Sequence, residues 1–231
     1  MAKTMSTMVD RIATEIRRPS LALPADMTSP IAVAILDSIE FWQKDRFRFN
    51  ESDPSATPSF NTVQGQWVYT SADNANIGTI FQFDKLIVYV GSTAQPLAKR
   101  TPHEIYLLNQ QNQQSGQPTD WAYEGNKIIM YPIPSTVWTL FLLGHTLSAA
   151  PATLDEDNNP WMNWAEYLIR CQAKFQIATH ITRNPTMASQ FSPDPDGGPG
   201  GKPGETWRAW MRLKKETNKI KQTRGVRAMQ F

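Results

Sequence analysis

The spacing of apolar residues changes twice along this 231-residue chain, and this change limits the possible folds more than any other feature of the sequence. In both terminal parts, apolar residues recur every three or four positions, as they do on one face of a helix. Between these parts, aromatic and β-branched residues are concentrated, which is typical of strands. The spacing predicts strands largely within 58–145 and four long helices, over about 5–17, 29–46, 160–183 and 205–222.

Residues that favour the first turn of a helix mark several of these boundaries. Ser29-Pro30 and Asn159-Pro160 each combine a side chain that can accept a hydrogen bond from the first turn with a proline at the first helical position. Thr101 and Glu104 have the spacing of a capping box. A short helix is therefore also expected inside the strand-rich middle.

Glycine, asparagine and proline predict where turns and loops lie. Gly125-Asn126 separates two apolar runs and has the composition of a two-residue hairpin turn. Pro132 and Pro134 should end the strand that follows this turn. The segment DPDGGPGGKPG at 194–204 predicts an exposed loop without regular structure.

Together these patterns predict an α+β fold that is mainly α. About four helices form an antiparallel bundle from residues 1–57 and 150–222. Residues 58–149 form a β-rich insert between the second and third helices, and 223–231 form an extended C-terminal tail, because Gly225 should end the last helix. The apolar stripes of different helices predict one shared helical core containing Ile35, Ile39, Trp42, Trp164, Leu168 and Phe175.

The residues that usually carry chemistry form no recognisable motif. The three histidines lie in three different elements, and none has a second ligand at metal-binding spacing. Cys171 lies on an apolar helix face, where a free thiol acts as a small hydrophobe. The acidic run at 155–157 lacks the glycine and final glutamate of an EF-hand loop. We expect no metal, no cofactor and no enzymatic activity, and no apolar run is long enough to span a membrane.

The C-terminal part of the chain is basic although the formal net charge of the whole chain is only +2. Beyond Leu213 the apolar stripe fades, and we expect the basic side chains there to leave the core of the subunit, namely Lys214, Lys215, Lys219 and Lys221. Charge of this kind is consistent with a nucleic-acid partner or an acidic protein partner. It is equally consistent with the solvated end of a helix.

Several short segments, in this order, resemble the head-to-tail adaptor proteins of short-tailed, double-stranded DNA phages. The segments are EIRRP (15–19), IAVAI (31–35), FWQKDRFRFNE (41–51), FNTVQGQWVY (60–69) and IIMYPIP (128–134), followed by two long final helices. The resemblance implies a structural virion protein that forms a ring, usually of twelve copies, and is assembled in the host cytoplasm. Such a ring joins the portal protein to the tail nozzle or tube and extends the channel for double-stranded DNA.

The resemblance also implies which residues meet the partners. Similar adaptors use C-terminal segments to engage the portal, so we expect portal contacts at Arg224, Val226, Arg227, Met229 and Phe231. The four lysines named above would face the DNA channel or the portal. One alternative is a nucleic-acid-binding module that uses the basic C-terminal helix. A hydrolase acting on cell-wall or carbohydrate material is a further alternative, since folding can bring distant carboxylates together.

Overall fold

The structure is a computed structural model that describes residues 3–52, 58–90 and 93–227, with the side chains of 220–227 excepted. The chain divides into two compact units. A helical unit comprises Met1–Phe49 and Ser148–Phe231, and a β-rich unit comprises Asn50–Leu147. The sequence placed the two divisions at 57/58 and 149/150.

The helical unit holds six of the eight α-helices found in the described residues. In chain order they are α1 (Met5–Glu15), α2 (Pro30–Trp42), α5 (Pro160–Trp164), α6 (Glu166–Gln176), α7 (Pro185–Gln190) and α8 (Glu205–Arg227), while α3 (Ala75–Gly78) and α4 (Pro102–Asn112) belong to the β-rich unit. A π-helical turn, Ile177–Ile181, continues α6, and a short 3-10 helix, Pro19–Ala22, follows α1.

The predicted helix starts are confirmed, because each depends on a local hydrogen bond. The Ser29 hydroxyl accepts from the amide of Ala32, and the Asn159 side chain accepts from the amide of Trp161. Thr101 and Glu104 form the complete capping box at the start of α4. These side chains satisfy backbone donors that have no partner within the helix.

The core of the helical unit lies between α1, α2, α5, α6 and α8. Ile35, Ile39, Trp42 and Leu168 are buried there, as predicted. Two members of the predicted core behave differently: Phe175 is half-buried, and Trp164 is 60% exposed. The prediction for Trp164 was wrong because the helix breaks directly after it.

That break divides the predicted helix over 160–183 into separate pieces. Ala165, with φ −116° and ψ 11°, ends α5 and precedes α6. Across the break Trp164 is mostly exposed whereas Leu168, four residues later, is buried, so three- and four-residue spacing no longer identifies which side chains reach the core. Helix α7 and the π-helical turn were not predicted either.

The β-rich unit contains all ten strands of the described residues, and they lie between Ser59 and Thr146, close to the predicted 58–145. They are β1 (Ser59–Asn61), β2 (Val68–Tyr69), β3 (Ile80–Val90), β4 (Thr93–Pro96), β5 (Ala98–Lys99), β6 (Ser115–Gly116), β7 (Asp120–Glu124), β8 (Lys127–Tyr131), β9 (Ile133–Pro134) and β10 (Thr139–Thr146). The sheet orders are β1-β10-β3-β4, β2-β8-β7-β5 and β6-β9.

Two features of these sheets follow directly from glycine. The predicted hairpin turn between β7 and β8 is confirmed: Gly125 and Asn126 both have positive φ, at 55° and 62°, as a type I′ turn requires. Gly144 lies at a register shift between β10 and β3. A Cβ atom at this position would come within 2.1 Å of the backbone oxygen of Gln82, so only glycine fits.

The predicted fold class was wrong. The described residues form a mixed α/β structure with eight helices and three sheets, and not a bundle of about four helices carrying an insert. Helical spacing identified the long amphipathic segments, but it gave no signal for the break at Ala165 or for the short helices. The strand-rich middle contributes ten strands and two helices of its own, where one short helix was expected.

The end of the chain differs from the prediction as well. Helix α8 passes through Gly225 and reaches Arg227, so residues 223–227 of the predicted extended tail are helical. Glycine within a helix costs about 1 kcal/mol relative to alanine, and the lysine, glutamine and arginine residues around it are good helix formers. The predicted portal-binding residues Met229 and Phe231 lie outside the described residues.

The glycine-rich loop before α8 has no regular structure, as predicted, but it is folded compactly in places. Gly198 and Gly204 are buried, and a Cβ atom on Gly204 would come within 2.4 Å of the Ser192 backbone oxygen. The Thr206 hydroxyl donates to the Phe191 carbonyl at 2.6 Å, which fixes the start of α8 against the beginning of this loop.

Candidate interaction surfaces of the helical unit

Lys214 does not leave the core of the subunit, contrary to the sequence prediction. Its Nζ lies 2.7 Å from Oδ1 of Asp45 and donates to the Arg46 carbonyl at 3.2 Å. The same ammonium group lies 5.2 Å from the ring centroid of Phe47 and 5.6 Å from that of Trp210. Its charge therefore joins α8 to the segment that follows α2.

Asp45 contacts two side chains of α8. Besides its ion pair with Lys214, it accepts a hydrogen bond from the indole Nε1 of Trp210 at 3.1 Å. Trp210 also stacks on Trp42, with ring centroids 6.2 Å apart. Trp42 and Trp210 therefore act as packing groups between α2 and α8.

The other predicted basic residues divide into exposed and undescribed groups. Lys215 and Lys219 are exposed on α8, and so are Arg208 and Arg212. For Lys221, Arg224, Val226 and Arg227 the backbone is helical and the side chains are not described. The predicted cations thus all lie on one helix. Their contacts with a portal or with DNA stay a prediction.

A groove of about 220 Å³ runs between α8 and the α5–α6 segment. We call it the Trp164 groove. Trp164 and Tyr167 stand at its sides and are 60% and 47% exposed. Its other lining residues are Lys3, Asn163, Ala165, Glu166, Leu168, Ala209, Arg212, Leu213 and Glu216.

Arginine side chains support both aromatic rings of the Trp164 groove. The guanidinium of Arg48 lies 5.6 Å from the Trp164 ring centroid, and that of Arg170 lies 5.5 Å from the Tyr167 ring centroid. The backbone amide of Arg48 donates to the hydroxyl of Thr217 at 3.0 Å, which ties Arg48 to α8. The rings are therefore held in place although more than 40% of each is exposed.

Tyr167 is also bound through its hydroxyl. It donates to Oε2 of Glu205 at 3.3 Å, close to the Cys171 thiol, whose sulfur lies 4.0 Å from the same oxygen. Partial burial, followed by the nearby Cys171 and Glu205, raises the pKa of Tyr167 to about 12. The phenol therefore remains neutral at physiological pH and serves as a hydrogen-bond donor.

A second surface lies on the outer side of α2. Val33, Asp37 and Phe41 follow at four-residue steps and are exposed, with Phe41 55% exposed. Glu40 and Lys44 are exposed beside them. We call this set the α2 ridge. Phe41 contacts Trp42 edge-on, with ring centroids 4.9 Å apart, so the buried Trp42 supports the Phe41 ring.

The two surfaces lie on different sides of the helical unit. On α8, Arg212 and Glu216 line the Trp164 groove, whereas Trp210 and Lys214 face Trp42 and Asp45, at and just beyond the end of α2. With 3.6 residues per turn, Arg212 and Lys214 point about 160° apart around the helix axis. A partner seated in the groove therefore leaves the α2 ridge uncovered.

The residues considered for chemistry remain scattered. Cys171 is fully buried, and burial together with Glu205 raises the pKa of its thiol to about 11, as expected of a structural cysteine. His103 and His180 are exposed in different units, and His145 is buried in β10. Within residues 3–52, 58–90 and 93–227, no three His, Cys, Asp or Glu side chains lie together in a way that could hold a metal ion.

The acidic run at 155–157 lies in the irregular segment before α5. Glu156 accepts hydrogen bonds from the Ala152 amide and from the Asn159 side chain, and these bonds lower the pKa of its carboxyl. Among the described helices, none is long and apolar enough to cross a membrane.

The Trp164 groove was missed at the sequence level. Its position depends on the break at Ala165, and no glycine or proline between 161 and 168 marks that break. The run of exposed apolar residues on α2 could have been found, because Val33 and Phe41 fall on the face opposite Ile31, Ile35 and Ile39.

Neither a known protein family nor a curated protein sequence matches this chain.

Proposed function

We propose that this chain is a head-to-tail adaptor of a short-tailed, double-stranded DNA phage. It forms a ring of about twelve copies between the portal and the tail nozzle or tube, within the virion. It acts by binding and needs neither turnover nor a cofactor. The proposal rests on the resemblance of the sequence segments and on the surfaces of the helical unit.

The observation that carries the proposal is the pair of exposed aromatic surfaces. Trp164 and Phe41 are each more than half exposed and lie on different sides of one folded unit. Large exposed apolar groups of this kind mark protein–protein contacts, since aromatic residues are enriched at the centres of interfaces. A subunit with two different contact surfaces suits a ring, where each copy meets two neighbours.

The basic helix α8 supports the part of the proposal that concerns the DNA channel and the portal. Arg208, Arg212, Lys215 and Lys219 are exposed along it, and the helix reaches Arg227. A ring that extends a DNA channel needs surfaces that tolerate a passing polyanion, and sequence-independent phosphate contacts provide this. Arg224, Val226, Arg227, Met229 and Phe231 remain the proposed portal contacts.

Electron microscopy of the purified protein mixed with the portal of its own phage tests this function. The expected image is a ring stacked coaxially on the portal. If the two proteins at micromolar concentration form no complex, the adaptor proposal is wrong.

Deletion of residues 224–231 tests the portal-binding end. The expected result is loss of portal binding with unchanged folding, because the described core ends before these residues. A matched control replaces Lys202 with Ala, since Lys202 is an exposed cation in the loop before α8. Undiminished portal binding by the truncated chain would assign the portal contact to another surface.

A second candidate function is a nucleic-acid-binding module, favoured by the exposed cations of α8. It predicts DNA affinity that falls steeply with salt, since each phosphate contact releases counterions. The adaptor function predicts only weak, sequence-independent binding by the isolated subunit. Titration of duplex DNA at several salt concentrations, with Lys215→Ala and Lys219→Ala variants, separates the two.

A further inference from the structure

Resting on the adaptor function, we propose that neighbouring copies of this chain dock head to tail, with the α2 ridge of one copy seated in the Trp164 groove of the next. Phe41 enters the groove between Trp164 and Tyr167. The occupant of the groove is therefore a second copy of the same chain.

The two surfaces match in the chemistry of their centres. The groove offers two aromatic rings above a floor that includes Leu168, which is buried, and Leu213, which is half-buried. The ridge offers Phe41, whose ring rests on Trp42 and projects from the helix. Aromatic rings favour edge-to-face and offset contacts, and a third ring between two supported rings provides such contacts.

The charges around the two surfaces are opposite. The side chains that line the groove are balanced in charge, with Lys3 and Arg212 against Glu166 and Glu216. Among the side chains that contact this lining, the cations Arg11, Arg48 and Arg170 outnumber the carboxylate Glu205, and one of them, Arg170, is also paired with Glu15. The ridge carries two carboxylates, Asp37 and Glu40, against one cation, Lys44. The excess is positive around the groove and negative at the ridge, so the contact brings opposite charges together.

The placement of the surfaces determines the kind of assembly. The ridge lies on α2, and the groove lies on the side of α8 turned away from the end of α2. A contact between two different patches is heterologous: after two copies dock, the pair keeps one free groove and one free ridge. Such contacts produce closed rings or open chains of copies and not isolated pairs.

Cysteine cross-linking tests the contact, and the chain is well suited to it. Cys171 is its only cysteine, is buried and has a raised thiol pKa, so it reacts slowly with maleimides. We would introduce Lys44→Cys at the C-terminal end of the ridge in one preparation and Asn163→Cys in the lining of the groove in another. Both substitutions leave Phe41 and Trp164 in place.

The expected result is a covalent dimer in the mixture treated with a short bis-maleimide, and almost none with either preparation alone. A matched control replaces Leu23, an exposed residue outside both surfaces, with Cys. If the Leu23→Cys preparation links to Asn163→Cys as well as Lys44→Cys does, the proposed contact is wrong.

Complementation between variants tests the head-to-tail arrangement independently. Phe41→Asp removes the ridge and Trp164→Ala removes the groove wall, and each side chain is more than half exposed, so folding should be retained and is checked by circular dichroism. By sedimentation velocity, the self-association of each variant alone should be weakened by about 30-fold or more, as expected for loss of an interface hot spot. A mixture of equal parts retains one intact ridge and one intact groove, and should form dimers only.

The outcomes distinguish the docking contact from the adaptor function. Oligomers that persist in either single variant, or a wild-type chain that remains monomeric both alone and with the portal, overturn the docking contact. Rings on the portal that incorporate Phe41→Asp and Trp164→Ala unchanged also overturn it, while the adaptor function stands. Head-to-tail oligomers that form without any portal binding support the contact and contradict the adaptor function.

Discussion

At the scale of single residues, charged groups in the helical unit act by joining segments that are distant in the sequence. Lys214 lies 2.7 Å from Asp45, across 169 positions of the chain, and its ammonium group also contacts two aromatic rings. Lys215, the next residue, is exposed to solvent. Neighbouring lysines in one basic run therefore have different roles, which net charge alone does not reveal.

Lys214→Met should lower the free energy of unfolding by about 1 kcal/mol, because it removes a partly exposed ion pair and a hydrogen bond to a backbone carbonyl. The effect should decrease with added salt, since salt screens the attraction. Urea denaturation at two salt concentrations measures both. Lys215→Met is the control and should change stability by less than about 0.5 kcal/mol. Equal effects of the two substitutions would contradict the role given to Lys214.

Cys171 should resist thiol reagents in the folded protein. Its thiol pKa is raised to about 11, mainly by burial, so the reactive thiolate is scarce at pH 8. Because the folded pKa lies above the unfolded one, this group's contribution to stability is complete below pH 9 and is lost as the pH rises toward 11. Reaction with a chromogenic disulfide at pH 8 should be slow without urea and rapid with it. Rapid reaction of the native protein would show that Cys171 is accessible.

At the scale of elements, the sequence predicts features that depend on a few adjacent residues. The caps at Ser29, Thr101 and Asn159 were predictable because each needs only one side chain and the first turn of its own helix. The break at Ala165 was not, since apolar residues continue at helical spacing on both sides of it. The exposure of Trp164, and with it the groove, follows from that break and from the position of α8.

The capping box of α4 provides a test at this scale. Thr101→Ala removes the hydroxyl that accepts a hydrogen bond from the Glu104 amide, and we expect it to cost about 1 kcal/mol of stability.

The Thr101 amide and hydroxyl lower the pKa of Glu104, so the contribution of this carboxylate to stability is present above its ordinary pKa and is lost as the pH falls through the lower, folded value. Glu104→Gln should keep the cap and remove this pH dependence. Chemical denaturation at pH 3 to 7 measures both variants, and an unchanged pH profile in Glu104→Gln would contradict this account.

At the scale of the whole molecule, each unit has its own apolar core. The helical unit is packed around residues such as Ile35, Ile39 and Leu168, and the β-rich unit around residues such as Leu86 and Leu140. The change in apolar spacing indicated this division, because helices and strands require different periods. It could not reveal which strands pair, since pairing between β1 and β10 joins residues about 80 positions apart.

The β-rich unit should fold by itself when residues 50–147 are produced as a separate chain. Its two ends are joined to each other: Glu51 pairs with His145, and the Thr146 hydroxyl donates to the Asn50 carbonyl at 3.0 Å. A unit whose ends meet and whose core is its own loses few contacts when the chain is cut at those ends. The fragment should give a β-rich circular dichroism spectrum and a single cooperative unfolding transition. The matching helical chain, with Phe49 joined to Ser148 through a short glycine–serine linker, should remain mostly helical. An unfolded fragment of 50–147 would mean that the strands depend on the helical unit for their stability, and that the two units are parts of one cooperative structure.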